Sequence, residues 1–314
     1  MPGMQRLTAL ISSYEGVEQG LCCLLYTSTD LTGYVYIAPI CLVVLLMSVV
    51  PIFISLYYSF TNFDGVRAPV FTGWDNYAKL IRDPVLRASM INTLIYTVVT
   101  VPVQTVLALL LAFGLSTFRQ GRWSQFIRGT LFVPVIASSM VAGIIWRAFM
   151  GPTGLINEAL GLLSIPAVTF LDINHALMSA CIVTVWRNLG YFMVIYFAAI
   201  LDIPKSLYES ADVEGCSFGQ KLVYITIPLL RASTFLIVIL GTIWSFQAFD
   251  LVFSLTQGGP GFSTTTMVMT IYNTSFKQFN LGYASAQAYV LLIIIVLISF
   301  VQTKVLNRSG DGSI

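Results

Sequence analysis

The chain has 314 residues, 57% of them hydrophobic and 10% charged, with a formal net charge of +2 and a mean hydropathy of +0.83. Soluble domains carry about 25% charged residues, so an ordinary water-facing enzyme is excluded. Disorder is excluded too, since disordered segments are polar and highly charged, and the small net charge gives no hint of nucleic-acid binding. The chain reads as an all-α integral membrane protein.

In chain order, residues 1–33 come first. They hold one base, Arg6, and three acids, Glu15, Glu18 and Asp30, with no apolar run long enough to span. They resemble neither a basic cytoplasmic lead-in nor a signal peptide with a basic n-region. The expectation is a poorly defined leader, either a mis-called start or a non-native segment. Six runs then meet the ~20 apolar residues that a transmembrane helix needs: Tyr34–Phe60, Ala88–Ser116, Thr130–Phe149, Ala176–Leu201, Arg231–Phe253 and Ala284–Val305. One transmembrane domain over 34–306 and a cytoplasmic tail at 307–314 follow. Pro39, Pro51, Pro102 and Pro134 fall in or at the ends of the first three runs, where bundled membrane helices tolerate them.

Lys and Arg in short loops set the orientation. The 117–129 loop holds Arg119, Arg122 and Arg128 and no acid, whereas the 150–175 loop holds Glu158 and Asp172 and no base. Lys205 and Lys221 in the 202–230 loop, and Lys304 and Arg308 at the C-terminal end, side with the first of these. Both termini are therefore expected in the cytoplasm of a multi-pass protein. The loop at 61–87 dissents, with Arg67, Lys79, Arg82 and Arg87 against Asp64, Asp75 and Asp83.

The polar interruption at 202–230 is the most informative stretch. Ser206 and Glu209 have capping-box spacing, which predicts a helix from Leu207. Gly215 suits the left-handed position that closes a helix. Ser217 and Gln220 repeat the capping spacing, and Pro228 should stop the second helix. The prediction is a short helical hairpin over 206–228, of a kind that docks into a groove on another protein; the plain alternative is a solvated loop.

Ionisable residues inside spans default to functional or paired. Arg187 lies about 11 residues into the fourth run, roughly 16 Å from its start at 1.5 Å per residue. Asn188 and Tyr191 are its neighbours, and Trp244, Ser245, Gln247 and Asp250 form a second polar-aromatic cluster in the fifth run. Aromatic faces with amide and hydroxyl donors suit a sugar ring. Hydrogen-bonded packing between helices is the competing explanation.

Catalytic and metal motifs are lacking. Cys22, Cys23, Cys41, Cys181 and Cys216 show no C-x-x-C spacing, and His175, the single histidine, cannot build a multi-imidazole metal site. There is no G-x-x-x-x-G-K-[ST], so no P-loop for ATP. Gly215–Gly219 matches G-x-S-x-G by chance: a nucleophile elbow needs the acid and histidine after the serine, and His175 precedes Ser217.

Glu209-Ser210-Ala211, Gly215 and Ile225-Thr226-Ile227-Pro228 resemble the E-A-A, three residues, G, nine residues, I-x-L-P signature of permease subunits of binding-protein-dependent ABC importers. Ser210 and Ile227 depart from it by small or isosteric changes. Gly73-Trp74-Asp75-Asn76-Tyr77, Asn92-Thr93-Leu94, Ile145-Trp146-Arg147 and Leu255-Thr256-Gln257-Gly258-Gly259-Pro260, with Thr264–Thr266 and Ile271-Tyr272, resemble its sugar-type branch, which includes maltose and glycerol-phosphate permeases. The resemblance spans about 34–306. It implies a type I ABC importer permease core of six transmembrane helices in a prokaryotic cytoplasmic membrane. The implied partners are ATPase subunits carrying ATP and Mg, a second permease subunit (a sister chain) and an extracytoplasmic solute-binding protein. This chain itself would hold no cofactor and do no covalent chemistry. Glu209, Ser210, Ala211, Gly215, Ile225 and Pro228 would form the ATPase-coupling hairpin, with Glu209 either capping its own helix or pairing with a basic group of the ATPase. Arg187, Asn188, Tyr191, Trp244, Ser245 and Gln247 would line the path of a sugar or oligosaccharide. Glycerol phosphate is the alternative solute, and an ion-coupled secondary transporter or a membrane-embedded enzyme are the other classes.

Overall fold

The computed structural model describes residues 29–117 and 122–308. Most of the leader, Arg119 of the basic loop and the end of the tail lie outside the described residues. The chain divides into two units, the first ending at Tyr57 and the second beginning at Tyr58.

Helix α1 (Thr29–Val44) begins five residues before the expected start of the domain, then passes through a π-helical turn at Leu45–Val49 into α2 (Val50–Ser59). The wide turn ends two residues before Pro51. A proline has no N–H and its ring crowds the carbonyl four residues back; a wider turn keeps the helix going without that bond.

The second unit carries α3 (Asp75–Arg82), α4 (Pro84–Thr117), α5 (Arg122–Ile136), α6 (Ser139–Phe149), α7 (Leu155–Leu162) and α8 (Ala176–Leu201). It continues with α9 (Lys205–Val213), α10 (Phe218–Lys221), a second π-helical turn at Leu222–Thr226, α11 (Ile227–Leu229) and α12 (Arg231–Phe246). It ends with α13 (Asp250–Thr256), α14 (Met267–Tyr272), a π-helical turn at Asn273–Lys277 and α15 (Leu281–Arg308). The last helix thus starts before Ala284 and runs beyond residue 306.

Among the described residues, four helical stretches are long and apolar enough to cross a bilayer: Tyr36–Ser59, Pro84–Ser116, Ala176–Leu201 and Leu281–Lys304. The count reaches six when two bent pairs each serve as one span. The third predicted span, Thr130–Phe149, is not straight, because α5 and α6 meet at 100°, with the break between Ile136 and Ser139. The fifth, Arg231–Phe253, stops at Phe246 and resumes at Asp250. Pro228 does not end the second helix of the hairpin. The π-helical turn ahead of it absorbs the proline, as at Pro51, and the bend of 74° follows at Leu230.

Helix α4 with α8 makes the most extensive contact, followed by α6 with α13, α4 with α12 and α5 with α8. Lipid offers no hydrophobic drive between helices, so small residues that allow close approach carry such interfaces. Ala108, Ala112, Ala176 and Ala180 are fully buried, and Ala108 and Ala112 pack with Phe192, Tyr196 and Ile237 in the largest core cluster. Gly143 lies where a Cβ would be 1.9 Å from the Ser254 hydroxyl oxygen, which sets the approach of α6 to α13.

Three of the sequence motifs outside the hairpin act as struts. Asn76 donates from Nδ2 to the carbonyls of Ser59 (2.9 Å) and Thr61 (2.8 Å), tying α3 to the chain before it. Asn92 Nδ2 donates to Phe262 O (2.7 Å) and Thr265 O (3.1 Å), and Thr93 Oγ1 accepts from Met267 N–H (3.0 Å). These bonds hold the 255–267 loop on α4. Thr264, Thr265 and Thr266 bond Gly259 O, Gly258 O and Ala248 O, so the loop satisfies its own backbone.

Candidate functional site

A cavity of roughly 230 Å³ opens where both interrupted helices break. Ser139 lines it from the start of α6; Gln247, Ala248 and Phe249 from the gap after α12; Asp250 from the start of α13. Helix α4 contributes Tyr96, α8 contributes Thr184, Arg187 and Asn188, and α12 contributes Trp244. Arg187 lies near the middle of the 26-residue α8, so the polar walls sit well inside the span. Discontinuous helices that leave polar groups facing a cavity at this depth are how transporters build solute sites.

The polar groups are only partly paired. Arg187 Nη1 donates to Asn188 Oδ1 at 3.2 Å, and Asn188 Nδ2 donates to Gln104 Oε1 at 3.5 Å. Among the described residues, the buried Nε of the cavity-lining Arg187 has no partner. A buried unsatisfied donor costs about 1–3 kcal/mol, so an accepting solute would be stabilised there. The Trp244 ring lies 5.1 Å from Tyr191 and 5.6 Å from Phe192, a platform held from behind by its neighbours. Tyr96 and Thr184 share a short hydrogen bond between hydroxyls.

Of the six predicted path residues, Arg187, Asn188, Trp244 and Gln247 line the cavity. Tyr191 stands behind it, supporting Trp244. Ser245 is turned away: it is 4% exposed and its hydroxyl meets Thr100 Oγ1 at 3.1 Å, so it joins α12 to α4. Sequence reasoning missed Tyr96, Thr184 and Ser139. A signal for α4 was present, since Ser89, Thr93, Thr97, Thr100 and Gln104 recur at helical spacing on one face and all are buried.

The hairpin at the C-terminal end of α8 is built by local rules. Gly215 has φ +73°. Gly215 N–H bonds Asp212 O (3.1 Å) and Cys216 N–H bonds Ala211 O (2.9 Å), the pair of bonds that closes a helix in a Schellman motif. Ser217 Oγ accepts from Gln220 N–H (3.4 Å) and Gln220 Oε1 accepts from Ser217 N–H (2.7 Å), completing the predicted capping box. The Ser206–Glu209 cap does not form. Pro204 occupies the N-cap and the helix begins at Lys205, which puts Ser206 inside the first turn. Glu209 and Ser210 are exposed, Ala211 is buried against the core, and Ile225 is half-buried beside exposed Pro228.

Lys221 pairs with Asp212 across the hairpin. Tyr208 and Thr226 hydroxyls meet at 2.9 Å, and Phe218 packs on Phe113 of α4 with centroids 4.5 Å apart. The hairpin is therefore rigid and fixed to α4, while its Glu209 face is open.

Residues 82–309 match the family described as binding-protein-dependent transport system inner membrane component. The chain is 32% identical to the probable ABC transporter permease protein YurN of Bacillus subtilis, covering 86% of this chain and 94% of that protein. It is 31% identical to the lactose transport system permease protein LacF of Rhizobium radiobacter, over 87% of this chain and 93% of that one. Its fold is similar to a chain of a bacterial ABC transporter involved in import of the acidic polysaccharide alginate. That likeness has a TM-score of 0.80 and 19% identity, over 90% of this chain and 98% of that one. The six-run pattern, the broken helices around a polar cavity and the Gly215 hairpin thus have one account: the chain belongs to the family of binding-protein-dependent ABC transporter permeases, the inner-membrane components of these transport systems.

Proposed function

We propose that the chain is the translocating subunit of an ATP-driven importer for a sugar or oligosaccharide, working by alternating access at the cavity on α8. The observation that carries this is the meeting of Arg187, Asn188, Trp244 and Gln247 in one cavity at two helix breaks. An aromatic face with amide and guanidinium donors is complementary to a ring bearing hydroxyls. The similarity to a lactose permease supports the solute class. ATP and Mg would be held by separate ATPase subunits. The exposed Glu209 face of the hairpin would seat in the ATPase, and a solute-binding protein would deliver the sugar from outside. Differential contacts of the hairpin in the two states are what transmit work to the cavity. A phosphorylated solute such as glycerol phosphate is the second reading, favoured by the unpaired Nε of Arg187.

Two variants test the solute path. In the reconstituted importer, Asn188→Ala should change uptake affinity or selectivity by about threefold to tenfold, the worth of one hydrogen bond, and Trp244→Ala should change it at least as much through loss of the aromatic face, with basal ATP hydrolysis retained. Unaltered solute preference with a lowered melting temperature would assign both residues to helix packing instead. Orientation has its own test: a reporter fused after Arg122 should be cytoplasmic, and one fused after Gly161 external. The reversed pattern overturns the proposed sidedness.

A further inference from the structure

The four bases of the 61–87 loop oppose the charge rule that orients every other loop, and transport at the cavity makes no use of them. Their arrangement accounts for them. Arg67 is spent locally: it lies 3.9 Å from Asp64, whose Oδ1 accepts from the N–H groups of Val66 and Arg67. The Arg67 and Val66 N–H groups hold the Asp64 carboxyl below the usual carboxylate range. Asp83 is likewise occupied, accepting at Oδ1 from Val85 N–H and Leu86 N–H and at Oδ2 from the Tyr283 hydroxyl. Lys79, Arg82 and Arg87 have no carboxylate within salt-bridge distance among the described residues, and all three are exposed.

Helix α3 sorts its residues into three faces at 100° per residue. Asn76 and Leu80 are buried against the protein. Lys79, Arg82 and Asp75 form a charged face. Between these, Trp74 is 71% exposed and Ile81 88%, one heptad apart on one side. Phe71, just before the helix, is exposed as well. The Trp74 ring is not loose: it packs on Phe60 at 5.1 Å and Tyr77 at 5.2 Å, and Tyr77 is bonded to the Ser59 hydroxyl at 2.8 Å. An aromatic held this firmly yet left bare is presented to something. The span that follows, α4, also carries exposed apolar side chains, among them Met90, Ile91, Leu94, Ile95 and Val98.

We propose that α3 is an interfacial anchor: Trp74, Ile81 and Phe71 enter the acyl boundary of the adjoining leaflet, while Lys79, Arg82 and Arg87 bind phosphates of anionic phospholipids. Trp and Tyr favour this depth, where one end of the side chain is apolar and the other wet. Helices with an apolar face beside basic residues bind in the same plane. Asp83 caps the start of α4 and Asn76 ties α3 to Ser59 and Thr61, so the anchor sets how the span enters the bilayer. The assignment stands on either side of the membrane and does not rest on the solute.

The experiment uses the full chain in nanodiscs of phosphatidylcholine with or without phosphatidylglycerol, carrying lipids brominated near the headgroup end of the acyl chain. The fluorescence lost in Trp74→Phe isolates one of the five tryptophans. It should be quenched by the brominated lipid and shielded from aqueous iodide. Ile81→Trp, at a site free of packing, should report the same depth. The double variant Lys79→Ser/Arg82→Ser should retain phosphatidylglycerol at least about tenfold more weakly, given what a base contributes at an anionic surface. Iodide quenching without bromolipid quenching at both tryptophan positions overturns the proposal and makes this face a protein-docking surface. Equal phosphatidylglycerol retention by the double variant overturns the headgroup contacts. Loss of uptake is not a readout, so a failed transport proposal leaves this result intact.

Discussion

Exchange of Gly215 for proline should reduce uptake to background while the chain still inserts and solubilises. Proline is locked near φ −65°, and Gly215 sits at φ +73° in the closing turn of α9. The substitution removes Gly215 N–H, which bonds Asp212 O, and moves Cys216 N–H away from Ala211 O. Both bonds of the helix closure are lost, the two short helices separate, and the Lys221–Asp212 pair loses its geometry. No part of the change lies within a spanning helix, so co-purification of ATPase subunits is the measurement, alongside uptake in proteoliposomes. Glu209→Lys should weaken the same co-purification without altering the hairpin, because Glu209 makes no cap bond to its own helix. Normal uptake by both variants would remove the coupling role from this hairpin.

Gly190→Val should strongly destabilise the transmembrane bundle. A Cβ at Gly190 would stand 2.1 Å from Leu131 O, 2.8 Å from Leu131 C and 3.0 Å from Phe132 Cα. All three obstacles are backbone atoms of α5, so no side-chain rotation relieves the clash. Overpacking costs about 1–3 kcal/mol where side chains can adjust, and here the helix itself must move. The gain in helix propensity over glycine, at most about 1 kcal/mol, does not offset it. Thermal unfolding in detergent should show a clear drop for Gly190→Val. Gly129→Ala, on α5 with nothing within 4 Å of the added carbon, should be neutral or slightly stabilising. Equal melting of the two variants would mean that α5 and α8 do not meet at Gly190.

Much of this protein is governed by interactions short enough to read along the chain. Continuous apolar runs gave four helices long enough to cross a bilayer. Gly215 and the Ser217–Gln220 pair built their turn and cap as their spacing predicts, because helix ends are satisfied within three or four residues. Asn188 and Arg187 were singled out by a simple rule, the expense of polar groups inside a span.

The remainder depended on which segments meet in three dimensions. The cap at Ser206 failed because Pro204 had already started the helix at Lys205, and Pro228 did not end its helix because a wider turn took up the proline. Ser245 looked like a cavity residue and became a strut once Thr100, 145 positions away, reached its hydroxyl. Tyr96 and Thr184 became cavity walls only because α4 lies along α8. The bend at Ile136–Ser139 falls inside a run that reads along the chain as one continuous apolar span. Composition and local hydrogen bonding thus determined that the chain spans a membrane and where its turns close. Helix packing decided where the spans break and which polar groups face one another, because each of those outcomes depends on a partner distant in sequence.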